Sequence, residues 1–157
     1  MNGSIASGTA LVAAIMEQRA EIEIATINNN DIRFLGFRDQ TELPALYELA
    51  DVFVLASHRE PWGLAINEAM NAGTAVIASD QCGSAQDLID ETCGTIISPG
   101  DTESLARALT ELLSNMDRCR AMGSAAAARI TAWNFDADLD GLRAALASSY
   151  VAPRTLR

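Results

Sequence analysis

The stretch Ser57-His-Arg-Glu-Pro-Trp-Gly-Leu-Ala-Ile-Asn-Glu-Ala-Met-Asn-Ala-Gly73 follows the apolar run Asp51-Val-Phe-Val-Leu-Ala56 and precedes Thr74-Ala-Val-Ile-Ala-Ser79. Short apolar runs bounded by turn residues read as buried strands. The whole is then a strand, a loop holding Glu60, a helix holding Glu68, and a second strand. Seven residues separate the two carboxylates. In an open parallel sheet, ligands bind beyond the carboxyl ends of the strands, and Glu60 falls there with a helix N-terminus beside it.

Working outward, the same pattern repeats. After the turn at Asn28-Asn-Asn30, residues 31–37 read as a strand and 43–50 as a helix with Pro44 in its first turn. Strands are expected at 52–57, 75–79 and 95–98, with a loop and short helix at 83–89. Asp101 should cap a helix running towards Asn115, followed by helices over 116–131 and 136–149. This alternation predicts an α/β fold: a Rossmann-like, doubly wound parallel sheet, incomplete, with about four strands and C-terminal helices.

A site for a sugar nucleotide needs carboxylates to accept from hydroxyls and unpaired backbone N–H groups to receive a diphosphate. Glu60-Pro-Trp-Gly-Leu, Glu68-Ala-Met-Asn-Ala-Gly73 and Val76-Ile-Ala-Ser-Asp80 together resemble the donor-site signature of glycosyltransferase family 4, the retaining nucleotide-sugar transferases of the two-domain GT-B fold. The resemblance runs from about Asp31 to about Leu146. It implies that Glu60 is the catalytic carboxylate that contacts hydroxyls of the transferred sugar, and that Glu68 holds the ribose. It implies further that backbone amides around Pro61, Trp62, Gly63 and Leu64 face the sugar and diphosphate, Gly63 allowing close approach. No metal cofactor is expected, since cationic side chains and a helix N-terminus stabilise the departing diphosphate.

Other readings of these residues stand beside that one. Both glutamates are also what a helix N-terminus attracts without a ligand. On a helical wheel Ala65, Ile66, Ala69, Met70 and Ala72 share a face and Glu68 lies on its border, a position open to ligand or solvent. His58, the sole histidine, either lines the sugar pocket or is an exposed loop residue; being single, it excludes a multi-His metal site. Trp62 offers a stacking platform or packs beneath its loop, as the aromatic here does in the family. Ser79 and Asp80 approach the donor or simply form a turn.

The resemblance also orders the remainder. Residues 1–9 read as a remnant of a missing strand and its glycine turn, 10–150 as the donor-binding domain, and 151–157 as a tail. Residues 9–25 read as the helix that follows the family's second strand. The Arg and Lys that the family gives to the diphosphate cannot be assigned. In the strand order 3-2-1-4-5-6 the missing strands are central, so the Val52 strand would lose its neighbour. Either the Ile32 strand slides in beside it, or a second copy covers the edge, and a homo-oligomer is expected.

Composition narrows the classes. With 157 residues, 49% hydrophobic and 20% charged, the chain has the make-up of one globular domain. All 11 basic residues are arginines, against 21 acidic ones, for a net charge of -10. Such a field disfavours nucleic acid as a partner. No run approaches the ~20 apolar residues of a membrane span, and no basic, leucine-rich leader opens the sequence, so a cytoplasmic location is expected. Cys82, Cys93 and Cys119 lack the spacing of a zinc site or disulfide scaffold. Asp136-Ala-Asp138 has the form of a metal motif, but it follows Trp133-Asn-Phe135 and reads as a helix start, where carboxylates favour the dipole.

The function these observations imply is the donor-binding half of a retaining glycosyltransferase, inactive alone, its partners a nucleoside diphosphate sugar and a missing N-terminal acceptor domain. The alternatives are a non-catalytic α/β assembly module, a generic nucleotide-binding domain, and a GT-B-like sugar-nucleotide epimerase.

Overall fold

The computed structural model describes residues 12–14 and 35–149. Four parallel strands, β1 (Val12–Ala14), β2 (Val52–Leu55), β3 (Ala75–Ser79) and β4 (Gly94–Ile97), lie in the order β1-β2-β3-β4. Six helices accompany them: α1 (Leu43–Leu49), α2 (Leu64–Asn71), α3 (Ala85–Leu88), α4 (Thr102–Leu113), α5 (Met116–Ile130) and α6 (Phe135–Ser149). Every residue of β2 and β3 is buried, as befits strands covered on both faces.

Alternate strand residues feed two cores. Phe53, Leu55, Val76 and Ala78 point to one face, where Tyr47 of α1, Ile66 and Met70 of α2 and Leu88 of α3 meet them. Val52, Val54, Ala75 and Ile77 point to the other, against Ala108 and Leu112 of α4. Strands stepping one way across a parallel sheet place their crossovers on one face, and α1 to α3 obey this. The chain then returns over the opposite face as α4, so helices cover both faces of the sheet; its described strands step one way without the reversal of a doubly wound order. α6 contributes no residue to either core, and Phe135, Leu139, Leu142 and Leu146 on it are exposed.

α5 closes the amino end of the sheet. The Cys119 thiol donates to Asp51 O at 3.2 Å, just before β2, and Gly123 packs on the turn before β3. A Cβ at Gly123 would lie 2.0 Å from Gly73 O. With that end sealed, the carboxyl ends carry the open loops at 57–63, 80–84 and 98–101.

β1 corrects two expectations. Residues 9–25 read as a helix, yet Val12–Ala14 is a strand, paired in parallel with Val52, Phe53 and Val54. A continuous apolar run has no period to separate strand from helix, and the exposed ladder of β2 settles the matter by pairing with it. Both edges of β2 are therefore occupied within the chain, so neither a displaced Ile32 strand nor a second copy takes that place. The strand expected over 31–37 is not seen in its described part: Leu35 to Phe37 are irregular, and Gly36 has φ 66°. Residues 31–34, 1–9 and 151–157 lie outside the described residues.

The other boundaries fall within a few residues of expectation. Pro44 opens α1, and the Asp101 carboxylate accepts from Ser104 N at 2.9 Å to cap α4. The metal-like Asp136-Ala-Asp138 occupies the first turn of α6, capped by Asn134, whose Oδ1 accepts from Ala137 N at 3.0 Å. No helix among the described residues is long and apolar enough to cross a membrane.

Two stability predictions follow from this packing. Gly→Ala inside a helix ordinarily stabilises by up to about 1 kcal/mol. Gly141 in α6 has open space around it, so Gly141→Ala should raise the urea midpoint, while Gly123→Ala should lower it, its overpacking costing about 1 to 3 kcal/mol of stability. A rise in both variants would refute the α5 contact. The Ser104 hydroxyl and amide hold Asp101 below the ordinary carboxylate value, and the Thr92 hydroxyl and amide do the same for Asp90. Depressed folded values stabilise above the unfolded pKa and cease to as pH falls through the folded one. Circular-dichroism melts should thus hold down to about pH 4 and decline below it, and Asp101→Asn should decline less steeply.

Candidate functional site

Two loops meet at the carboxyl ends of β2 and β3. Glu60 N donates to Gln81 O at 3.0 Å, Gly83 N donates to Glu60 O at 3.0 Å, and Ser84 N donates to Trp62 O at 2.8 Å. This short parallel bridge fixes where residues 60–62 lie. Gly83 is required by it, since a Cβ there would come within 2.2 Å of Pro61 O. Gly63 takes φ 90°, the left-handed region that favours glycine, and turns the chain directly into α2.

Glu60 is half-buried, and its Oε1 accepts from Gly63 N at 3.0 Å and from Trp62 N at 3.3 Å. Two of the loop amides expected to face a sugar and diphosphate are thus engaged by Glu60's own side chain. Leu64 opens α2; Ile66 N already donates to Gly63 O at 2.9 Å, so the amides that this helix start leaves without an intrahelical partner are those of Leu64 and Ala65. Leu64 and Pro61 are exposed.

Trp62 does not pack beneath its loop. Leu55 and Ile66 fill that space, closing to 3.2 and 3.3 Å from where a Gly63 Cβ would stand. The indole instead remains 39% exposed and meets Trp133 at a centroid distance of 6.3 Å. His58 is exposed, with Cε1 3.6 Å from where a Cβ on Gly100 would be. Ser79 is buried and donates to Ser57 O at 2.6 Å, while Asp80 accepts from Gln81 Nε2 at 2.9 Å and Ser98 Oγ at 3.4 Å, so both serve the turn.

Glu68 lies away from this bridge, in a groove between α1 and α2 lined also by Gln40, Pro44, Tyr47 and Asn71. Its Oε2 accepts from Tyr47 Oη at 2.9 Å. Burial, with Glu68 alongside, pushes the Tyr47 hydroxyl far above its usual pKa, so it remains a donor at neutral pH. Sequence reasoning placed the α1 helix but missed this residue. The available signal was a tyrosine on the core face of an amphipathic helix, whose hydroxyl needs a partner when buried.

Six of the seven described arginines are paired with carboxylates: Arg38 with Glu42, Arg107 with Glu103, Arg118 with Glu111, Arg120 with Asp117, Arg129 with Asp90 and Arg143 with Asp140. Arg59, beside Glu60, has no such pair.

Among known proteins, the family model described as glycosyl transferases group 1 matches residues 16–129. Glycogen synthase of Mycobacterium tuberculosis is 36% identical over 122 residues, 78% of this chain and 29% of that protein. D-inositol 3-phosphate glycosyltransferase of Nocardia farcinica is 30% identical over 142 residues, covering 90% of this chain and 31% of that one. Among solved structures, sucrose-phosphate synthase from Thermosynechococcus elongatus superposes with a TM-score of 0.66 at 32% identity, over 76% of this chain and 31% of that one. HepE of Anabaena, solved in complex with UDP-glucose, gives 0.62 at 28% identity, over 76% and 33%. The chain therefore spans about three tenths of the length of these relatives.

The loop bridge generates a prediction of its own. Gly83→Ala must push Pro61 and Trp62 outward, costing about 1 to 3 kcal/mol of stability, which lowers the urea midpoint, and altering the tryptophan emission of the folded state. Unchanged emission and stability would mean that the two loops do not touch.

Proposed function

We propose that this chain, which belongs to the glycosyl transferases group 1 family, supplies the donor site of a retaining transferase. The reaction moves a sugar from a nucleoside diphosphate to an acceptor hydroxyl and keeps the anomeric configuration. The observation that carries this reading is the joint placement of Glu60, bound to its own loop amides, and the α2 N-terminus at the carboxyl end of β2.

In this reading Glu60 holds its orientation through Oε1 and presents Oε2 to hydroxyls of the sugar. The Leu64 end of α2 faces the diphosphate, where unpaired N–H groups and the helix dipole offset negative charge without a metal. Arg59 is the described arginine free to join them. His58 and Pro61 border the sugar, and Trp62 and Gly63 shape the loop by donating to Glu60. Glu68 takes the ribose in the α1–α2 groove. That UDP and UDP-glucose occupy Anabaena HepE supports a nucleotide sugar as donor. The acceptor is bound by a domain outside these 157 residues, and the chain alone is inactive.

Titration calorimetry with nucleoside diphosphates and their sugars tests the assignment. Affinity for the isolated chain should be millimolar or weaker. Glu68→Ala should weaken the nucleotide and its sugar alike, whereas Glu60→Ala should weaken mainly the sugar form. Each lost hydrogen bond to a charged group is worth about 1.5 to 3 kcal/mol, roughly ten- to a hundredfold in affinity. Binding that neither substitution changes would refute the site.

A further inference from the structure

We infer that Tyr47 is a positioning residue for the nucleotide: its hydroxyl pins one oxygen of Glu68 so that the other is presented to the α1–α2 groove as an acceptor for a ribose hydroxyl. This rests on the assignment of Glu68 to the ribose and goes beyond it, because Tyr47 itself touches no ligand.

The geometry is that of a built support. Tyr47 is 3% exposed, and its ring stands edge-on to Phe53 of β2, with centroids 5.5 Å apart at 84°. Its carbonyl accepts from the buried Thr74 hydroxyl at 2.8 Å and from Ala50 N at 3.0 Å. The phenol is thereby fixed from β2, from the turn before β3 and from the end of α1. Its 2.9 Å bond to Glu68 joins α1 to α2 across 21 residues of sequence.

The chemistry of the donor is equally specific. An arginine facing Glu68 would tend to engage both carboxylate oxygens as a fork, leaving little acceptor capacity. A phenol has one O–H and satisfies one oxygen. A phenol is protonated at neutral pH in any case, and burial raises its pKa further, so the bond is a donation to the carboxylate. Oε1 has no hydrogen-bond partner among the described residues, and the groove that receives Glu68 is walled by Pro44 and Gln40. A glutamate already held in place loses less freedom on binding, which converts directly into affinity.

A merely structural phenol, buried and bonded to the nearest carboxylate, would give the same contact, so the test separates the two. Ligand-observed NMR at millimolar concentrations of UDP and its 2′,3′-dideoxy counterpart, and of the guanosine pair, would be run on the wild-type chain, Tyr47→Phe and Glu68→Ala, with thermal melts of each. Tyr47→Phe keeps the ring and its contact with Phe53. It should lower affinity for the ribose form by about three- to tenfold, less than the loss of a charged hydrogen bond made directly to the ligand because Tyr47 acts only through Glu68, and leave the dideoxy form unchanged. Equal weakening of both forms, or no weakening despite a ribose preference that Glu68→Ala abolishes, overturns the role of Tyr47 alone. A wild type that binds neither form, or binds both alike with Glu68→Ala silent, overturns the ribose assignment and this inference with it.

Discussion

Three backbone hydrogen bonds between the loop after β2 and the loop after β3 hold the site in place. The loops lie at adjacent strand ends because β2 and β3 pair in register from Val52 and Ala75 onward, and this register is fixed by burial on both faces. A slip of one residue would exchange the two faces, driving Phe53 and Leu55 into the space now filled by Val52 and Val54. The carboxylate of Glu60, the left-handed turn at Gly63 and the start of α2 all inherit their positions from that pairing. The site is thus rigid at its strand-end base, and its exposed parts, His58, Arg59 and Pro61, project from a fixed frame.

Much of this was legible in the residues. Ala75–Ser79 is a strand to the residue, because five small and β-branched residues between turns leave no other reading. Asp101 announces the helix it caps. The failures have equally physical causes. Val12–Ala14 carries no periodicity of its own, and its strand character comes from a partner 40 residues away in sequence, Val52. Leu35 to Phe37 read as the end of a strand from their apolar residues, yet Gly36 takes a left-handed φ of 66°, which a strand does not accommodate. The bond between Tyr47 and Glu68 was hidden because the sequence shows Tyr47 on the core face of α1 and Glu68 on the border of α2 but not how the two helices face one another.

The charge pattern acquires a meaning from the fold that composition alone lacks. An excess of acid surrounds the arginines, and six of the seven described ones sit beside a carboxylate, most on the exposed side of a helix. Such pairs contribute little stability in water. Arg129 is the exception in kind: its guanidinium also donates to Leu88 O at 2.6 Å and to Asp87 O at 3.2 Å, tying α5 to the carbonyl end of α3. Most of the positive charge is therefore spent on the surface and on one internal clamp, and Arg59 stands out against that background.

The three cysteines lend the fold a property of a different kind. Cys82, Cys93 and Cys119 are all buried and unbridged, and burial raises the thiols of Cys93 and Cys119 above their ordinary range. A thiol reacts only when exposed and ionised, so each reports the opening of its own surroundings. Cys82 donates to Leu55 O beneath the Glu60 loop, Cys119 is bound to Asp51 O under α5, and Cys93 lies at the entry to β4. Without any engineered label, the rates at which a thiol reagent reaches these positions would give three separate clocks, for the Glu60 loop, the sealed amino end and the far strand of the sheet.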